Sequence, residues 1–219
     1  MSHVTLIRHG QAQTGATDEA GYDSLSDLGR QQARWLGEHF SATEEQFQRV
    51  YCGSLTRHQQ TADEMGAASH AEVIIDPRLN EVEYFDLSQK MHAQYGLPVP
   101  DSRDGFIEHL PLVFTAWQDG KIEDASETFH DFQSRVDEAL HEISAGEGRA
   151  LVVTSGGLIG MATRVAMGLE LGAFARLCLA IMNTSVHRMH PIGAGLTLTQ
   201  FNAIPHLEQR ARQHAQTYI

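Results

Sequence analysis

The chain alternates short runs of β-branched and aliphatic residues with longer segments whose apolar positions recur every three or four residues. Val4-Thr5-Leu6-Ile7 is the first run and reads as a buried parallel strand. Ser26 follows with N-cap chemistry, ahead of Leu28, Ala33, Leu36 and Phe40 at near-helical spacing. Val50-Tyr51-Cys52 predicts a second strand, broken at Gly53-Ser54, where Ser54 caps a helix carrying Leu55, Thr61, Ala62 and Met65. Val73-Ile74-Ile75 predicts a third, stopped by Asp76-Pro77. Phe129, Phe132, Val136, Leu140 and Ile143 form an amphipathic helix, and residues 150–154 read as a second fully buried strand. Ser155-Gly156-Gly157 then opens an Ala/Met-rich helix. Strands fit residues 185–189 and 196–201, with Pro191 and Gly193–Gly195 between them, and a short polar helix starts at His206. Strand and helix patterns alternating without an internal repeat predict an α/β fold, a three-layer α/β/α sandwich around a mostly parallel sheet.

Two segments depart from this rhythm. Residues 11–24 are polar and glycine-containing, a loop lying over the end of the first strand. From Leu79 to about Ser126 the periodicity weakens, with Pro98, Pro100 and Pro111 punctuating it and aromatics spread through it. The expectation is one domain over 1–219, with a small helical cap inserted at about 81–126.

Composition narrows the function classes. Sixteen basic against 28 acidic residues give a net charge of −12, which disfavours nucleic acid and anionic membranes as partners. No apolar run reaches membrane-spanning length, and no signal-peptide pattern precedes the first strand. Cys52 and Cys178 give neither a disulfide framework nor a CxxC site, so the expected compartment is the cytoplasm. The 13 histidines lack HxH or HExxH spacing, so no metal site is expected. An exposed edge strand or cap face would suit a homodimer.

Chemistry gathers at the predicted strand ends, where open α/β sheets bind ligands. Arg8-His9-Gly10 follows the first strand, Gly53-Ser54-Leu55-Thr56-Arg57 the second, Leu79-Asn80-Glu81 the third, and Thr154-Ser155-Gly156-Gly157 a later one. Two arginine forks, two helix N-termini and one imidazole suit a phosphoryl group, with Glu81 nearby as a proton donor.

These segments resemble, in order, the motifs of the histidine phosphatase (phosphoglycerate mutase-like) superfamily. Leu6-Ile7-Arg8-His9-Gly10-Gln11 is similar to its opening signature and Leu25-Ser26-Asp27-Leu28-Gly29-Arg30-Gln31-Gln32-Ala33 to the next helix start. Ser54-Leu55-Thr56-Arg57-His58-Gln59-Gln60-Thr61-Ala62 resembles the segment with its second arginine, and Leu79-Asn80-Glu81 its acid segment. Glu127-Thr128-Phe129 through Arg135-Val136, Asn183-Thr184-Ser185-Val186, and Phe201-Asn202 with His206-Leu207 complete the likeness. The resemblance implies a phosphomonoesterase that needs no metal or organic cofactor and acts on a small-molecule phosphate ester. His9 would carry a phosphohistidine, Arg8 and Arg57 would clamp the phosphoryl oxygens, and Glu81 would protonate the leaving alcohol. Gln11, Ser155 and Gly156 would contact substrate.

One position departs from the pattern. The family usually carries a second histidine where this chain has Ser155. A hydroxyl still donates a hydrogen bond, but from a shorter arm and without charge, and losing one such donor costs roughly 10²- to 10³-fold in turnover. The expectation is a working, slower phosphatase; the alternative is a relative that binds phosphorylated ligands or proteins without turnover. Arg103 is the only Lys or Arg in residues 91–117, so a second phosphate site, as a mutase needs, is not expected. A serine-hydrolase reading of Ser155 fails because Val153 stands where the nucleophile elbow needs glycine. Gly156-Gly157-Leu158-Ile159-Gly160 is not GxGxxG, which disfavours a dinucleotide site.

Overall fold

The computed structural model describes residues 3–13 and 18–218. Six strands form one sheet in the order β3-β2-β4-β1-β5-β6: β1 (Val4–Arg8), β2 (Arg49–Cys52), β3 (Val73–Ile75), β4 (Ala150–Thr154), β5 (Val186–Ile192) and β6 (Gly195–Ala203). The first four are mutually parallel where they pair, while β5 and β6 run antiparallel at one side. Central β1 and β4 are buried on both faces, as their unbroken apolar runs require. The helices are α1 (Glu19–Tyr22), α2 (Asp27–Ala42), α3 (Thr56–Glu64), α4 (Tyr84–Tyr95), α5 (Arg103–Gln118), α6 (Phe129–Ala145), α7 (Gly156–Met167) and α8 (Leu171–Ala180).

The sheet divides the core in two, and the period-2 alternation of its strands decides which residue faces which side. Val4 and Leu6 of β1, with Ala150 and Val152 of β4, pack among α5, α6, α7 and α8. Ile7, Leu151 and Val153 point the other way, against Ala33, Leu36 and Phe40 of α2 and Ala62 of α3. The α/β/α sandwich is therefore as the pattern predicts.

Several local expectations need correction. Ser26 caps α2, accepting from Gly29 N at 3.0 Å. Ser54 does not cap α3; its hydroxyl accepts from Asn80 Nδ2 at 2.8 Å, and Leu55 stands at the cap position. The cap comes instead from Asp23, whose carboxylate accepts from Thr56 N at 2.9 Å and Arg57 N at 3.2 Å. α5 runs through Pro111 instead of stopping there, and Pro191 lies inside β5. The polar segment after His206 is a pair of 3₁₀ turns, Pro205–Leu207 and Arg210–Ala215. α1 and α8 were not anticipated by the apolar pattern. Part of the expected 11–24 loop, residues 14–17, lies outside the described residues. None of the described helices is long and apolar enough to cross a membrane.

Candidate active site

The parallel strands β1, β2 and β4 end on the same side of the sheet, and the turn after β1 is fixed from both neighbours. His9 N donates to Thr154 O at 2.8 Å, and Gly10 N donates to Thr61 Oγ1 at 3.0 Å. A Cβ on Gly10 would lie 2.4 Å from Gly29 O, so glycine is what lets the start of α2 pack onto this turn. Alternation sends the two catalytic candidates apart: Arg8 faces α7, and His9 faces α3.

His9 is almost fully buried, and its Nδ1 lies 2.7 Å from Gly10 O. A carbonyl only accepts, so Nδ1 carries the proton and Nε2 presents a lone pair. Burial, then the charges of Arg57 and Arg8 and the imidazole of His58, hold His9 well below the ordinary histidine value, against the opposing pull of the Gly10 carbonyl. The ring is therefore neutral at physiological pH, with Nε2 unprotonated.

Arg8 is anchored by Nη1, which donates to Ile181 O and, at 2.7 Å, to Tyr218 O. Its buried Nε has no hydrogen-bond partner among the described residues and faces the start of α7, 3.5 Å from where a Gly156 Cβ would sit. A buried cationic N–H without an acceptor is costly, and an anion seated there removes the cost.

Arg57, in the first turn of α3, is buried and pairs through Nη1 with Asp23 Oδ1 at 3.0 Å. Its guanidinium lies 5.0 Å from the centroid of the Tyr22 ring, which itself meets His9 edge-on at 6.3 Å. The next residue, His58, is fully buried, with its ring centroid 5.7 Å from that of His9. Its Nε2 lies 2.5 Å from Ser155 Oγ.

Glu81 is fixed by backbone donors: Oε1 accepts from Val82 N and Oε2 from Gly157 N, both at 3.0 Å. Arg8, Tyr22, Glu81, Gly156 and Gly157 line one end of a cavity of about 290 Å³. The rest of its wall is mainly apolar, with Val82, Phe85, Val99, Phe106, Leu110 and Phe114 coming from the segment around α4 and α5. Among the described residues Arg8 is the only basic one in that wall.

Of the residues singled out from sequence, Arg8, Glu81 and Gly156 line this cavity, whereas His9 and Arg57 are not in its lining and adjoin it through the Tyr22 ring that both contact. Ser155 lies beneath, fully buried and bonded to His58. Gln11 turns its side-chain oxygen to the Ser26 hydroxyl at 2.9 Å, supporting the start of α2. Sequence reasoning gave no role to Tyr22, Asp23 or His58; Tyr22 and Asp23 sit in a polar loop without a motif, and only the neighbouring Arg57 marked His58. Among the described residues no group of three or more His, Cys, Asp or Glu is placed to hold a metal ion.

Comparison with known proteins agrees with this fold. The chain is 29% identical over 226 residues to a probable phosphoglycerate mutase GpmB of Enterobacter sp. (strain 638), covering 99% of this chain and 100% of the relative. It is 31% identical over 184 residues to a glucosyl-3-phosphoglycerate phosphatase of Mycolicibacterium vanbaalenii, covering 76% of this chain and 74% of the relative. Its fold matches a phosphoserine phosphatase mutant from Entamoeba histolytica solved with phosphoserine, with a TM-score of 0.70 at 17% identity over 94% of this chain and 100% of that one. Residues 4–204 match the family model of the histidine phosphatase superfamily (branch 1), and this chain belongs to that family.

Proposed function

We propose that the protein is a metal-independent phosphomonoesterase that works through a phosphohistidine on His9. The observation that carries this reading is the neutral His9 ring, with Nδ1 committed to Gly10 O and Nε2 left to attack, flanked by Arg8 and Arg57. In the first step the Nε2–P bond forms as the P–O bond to the alcohol breaks, and the departing oxygen takes a proton from Glu81. In the second, water attacks phosphorus, its proton passes to the Glu81 carboxylate, and the N–P bond breaks to release phosphate. Arg8 and Arg57 offset the charge of the nonbridging oxygens, where positioning and electrostatics supply most of the rate.

The apolar cavity wall receives the alcohol portion of the ester. With Arg8 committed to the phosphoryl end, no basic side chain among the described wall residues remains for a carboxylate or second phosphate. The substrate class is therefore a small phosphate ester of an aromatic or aliphatic alcohol. The test is release of phosphate from an aryl phosphate in the presence of a chelator, comparing wild type with His9→Ala. Turnover that survives chelation and vanishes in the variant, with an acid-labile phosphoenzyme trapped from the wild type only, supports the mechanism. Vanadate binding without turnover would instead identify a phosphate-binding relative.

A further inference from the structure

Strand alternation brings Ser155 and His9 to the same side of the sheet. Val153 of β4 and Ile7 of β1 both face the α2/α3 core, and Ser155 and His9 each lie two residues further on. Ser155 occupies the N-cap position of α7, yet its hydroxyl makes no capping bond. It pairs instead with His58 Nε2 at 2.5 Å, in a site where both residues are fully buried. The other ring nitrogen of His58, Nδ1, is buried with no hydrogen-bond partner among the described residues.

That asymmetry fixes the direction of the bond. Burial and the adjacent Arg57 charge hold His58 well below the ordinary histidine value, so the ring is neutral and has one N–H. Were the proton on Nδ1, a buried donor would be left without an acceptor, which folded proteins rarely tolerate. With the proton on Nε2, His58 donates to Ser155 Oγ, and only a lone pair is left bare. The serine proton, unable to return to His58, is then available to an acceptor on the His9 side.

We propose that His58 and Ser155 act as one unit, in which His58 donates to the Ser155 hydroxyl and turns its proton toward the phosphoryl group held against His9. His58 is thereby a positioning residue, and the inference rests on the phosphomonoesterase reading above. It also gives residue 155 a physical account. The resemblance leads one to expect an imidazole at that position, and here an imidazole arrives beside it from α3.

The test is steady-state turnover of an aryl phosphate, with vanadate affinity, for wild type, His58→Ala, Ser155→Ala and the double variant. Removing an oriented donor to the phosphoryl group costs roughly 10²-fold in kcat for Ser155→Ala, and losing its orientation roughly tenfold for His58→Ala. The double variant is expected to be no slower than Ser155→Ala, because two residues acting through one proton are not additive. Vanadate affinity falls in step. His58→Gln, which keeps an N–H donor of similar reach, retains most of the wild-type rate and covers the case in which alanine unfolds the chain. Ser155→His alone is expected to stay impaired, since 2.5 Å leaves no room for a second ring, whereas combining it with His58→Ala recovers activity. Wild-type rates in His58→Ala, or a double variant whose loss is the product of the singles, would overturn the proposal. A wild type without turnover, or turnover that survives His9→Ala, overturns the phosphatase reading itself and the proposal with it.

Discussion

Gly157→Ala separates the stability of this protein from its chemistry. Gly157 sits in the first turn of α7, and its N–H holds Glu81 Oε2 at 3.0 Å. A Cβ built there lies 2.2 Å from Glu81 Oε1 and 3.0 Å from Val82 Cγ1. Ordinary contact begins near 3.4 Å, so the carboxyl must retreat by about 1.2 Å while Val82 yields a few tenths of an ångström. The carboxyl ends a flexible side chain, so the displacement costs mainly its hydrogen bond to Gly157 N, about 1 kcal/mol. Alanine has a helix propensity better than glycine's by about 1 kcal/mol, which offsets that cost. The melting temperature should therefore hold. Catalysis should not follow, since misplacing a reacting group by about 1 Å can cost roughly 10²-fold. The loss should appear where the proton matters. Turnover of an alkyl phosphate, whose alkoxide needs protonation, falls roughly 10²-fold, and that of a nitrophenyl phosphate only a few-fold. Equal losses on both substrates, or none on either, would refute the assignment of Glu81 as proton donor.

Two further outcomes are expected. Apolar aryl and alkyl phosphates should exceed a carboxylate-bearing phosphate ester in kcat/KM by at least roughly tenfold, because the cavity wall strips water from that charge without pairing it; Phe106→Arg should narrow the gap, and an unchanged ratio would count against the pocket assignment. Stability should fall on mild acidification. His187 and His206 are held at about 3 by burial, Arg8 adding to the effect at His187 and His39 and Arg212 at His206. Between about 3 and 6.5 they bind more protons unfolded than folded, so their contribution is complete above pH 6.5 and is lost as pH falls toward 3, at about 1.4 kcal/mol per histidine per pH unit. Urea unfolding near pH 7.5 and about pH 5.5 should differ by at least roughly 2 kcal/mol, and equal midpoints would refute this.

What the sequence revealed follows from how far each signal reaches. β1 and β4 were legible because a strand buried on both faces must be apolar throughout, and α6 because one helix face must be. Arg8, His9 and Arg57 stood out as candidates because each stands at a strand end or a helix start, and Glu81 because it follows Leu79-Asn80 in a motif segment between β3 and α4. The capping of α3 was not, since Asp23 reaches it across 33 residues and replaces the local Ser54. α5 passes Pro111 because tertiary burial of Leu110, Val113 and Phe114 outweighs one missing N–H. The pairing of His58 with Ser155 spans 97 residues and depends on the parity of two strands, which no local pattern carries.

The anchoring of Arg8 also bears on how the protein is made. Its guanidinium is held by the carbonyls of residues 173 and 210 positions further along the chain. A ribosome adding roughly 5–20 residues per second needs about 10–40 s to synthesise that interval. Throughout that time the nascent chain already carries Arg8 and His9 but lacks the acceptors that aim the guanidinium. Thr217 secures the closing contact, bonding Asn183 N through its carbonyl at 2.8 Å and Gln32 Nε2 through its hydroxyl at 2.8 Å. The residues proposed to hold phosphate are thus translated well before the carbonyls that aim Arg8, 173 and 210 positions further on.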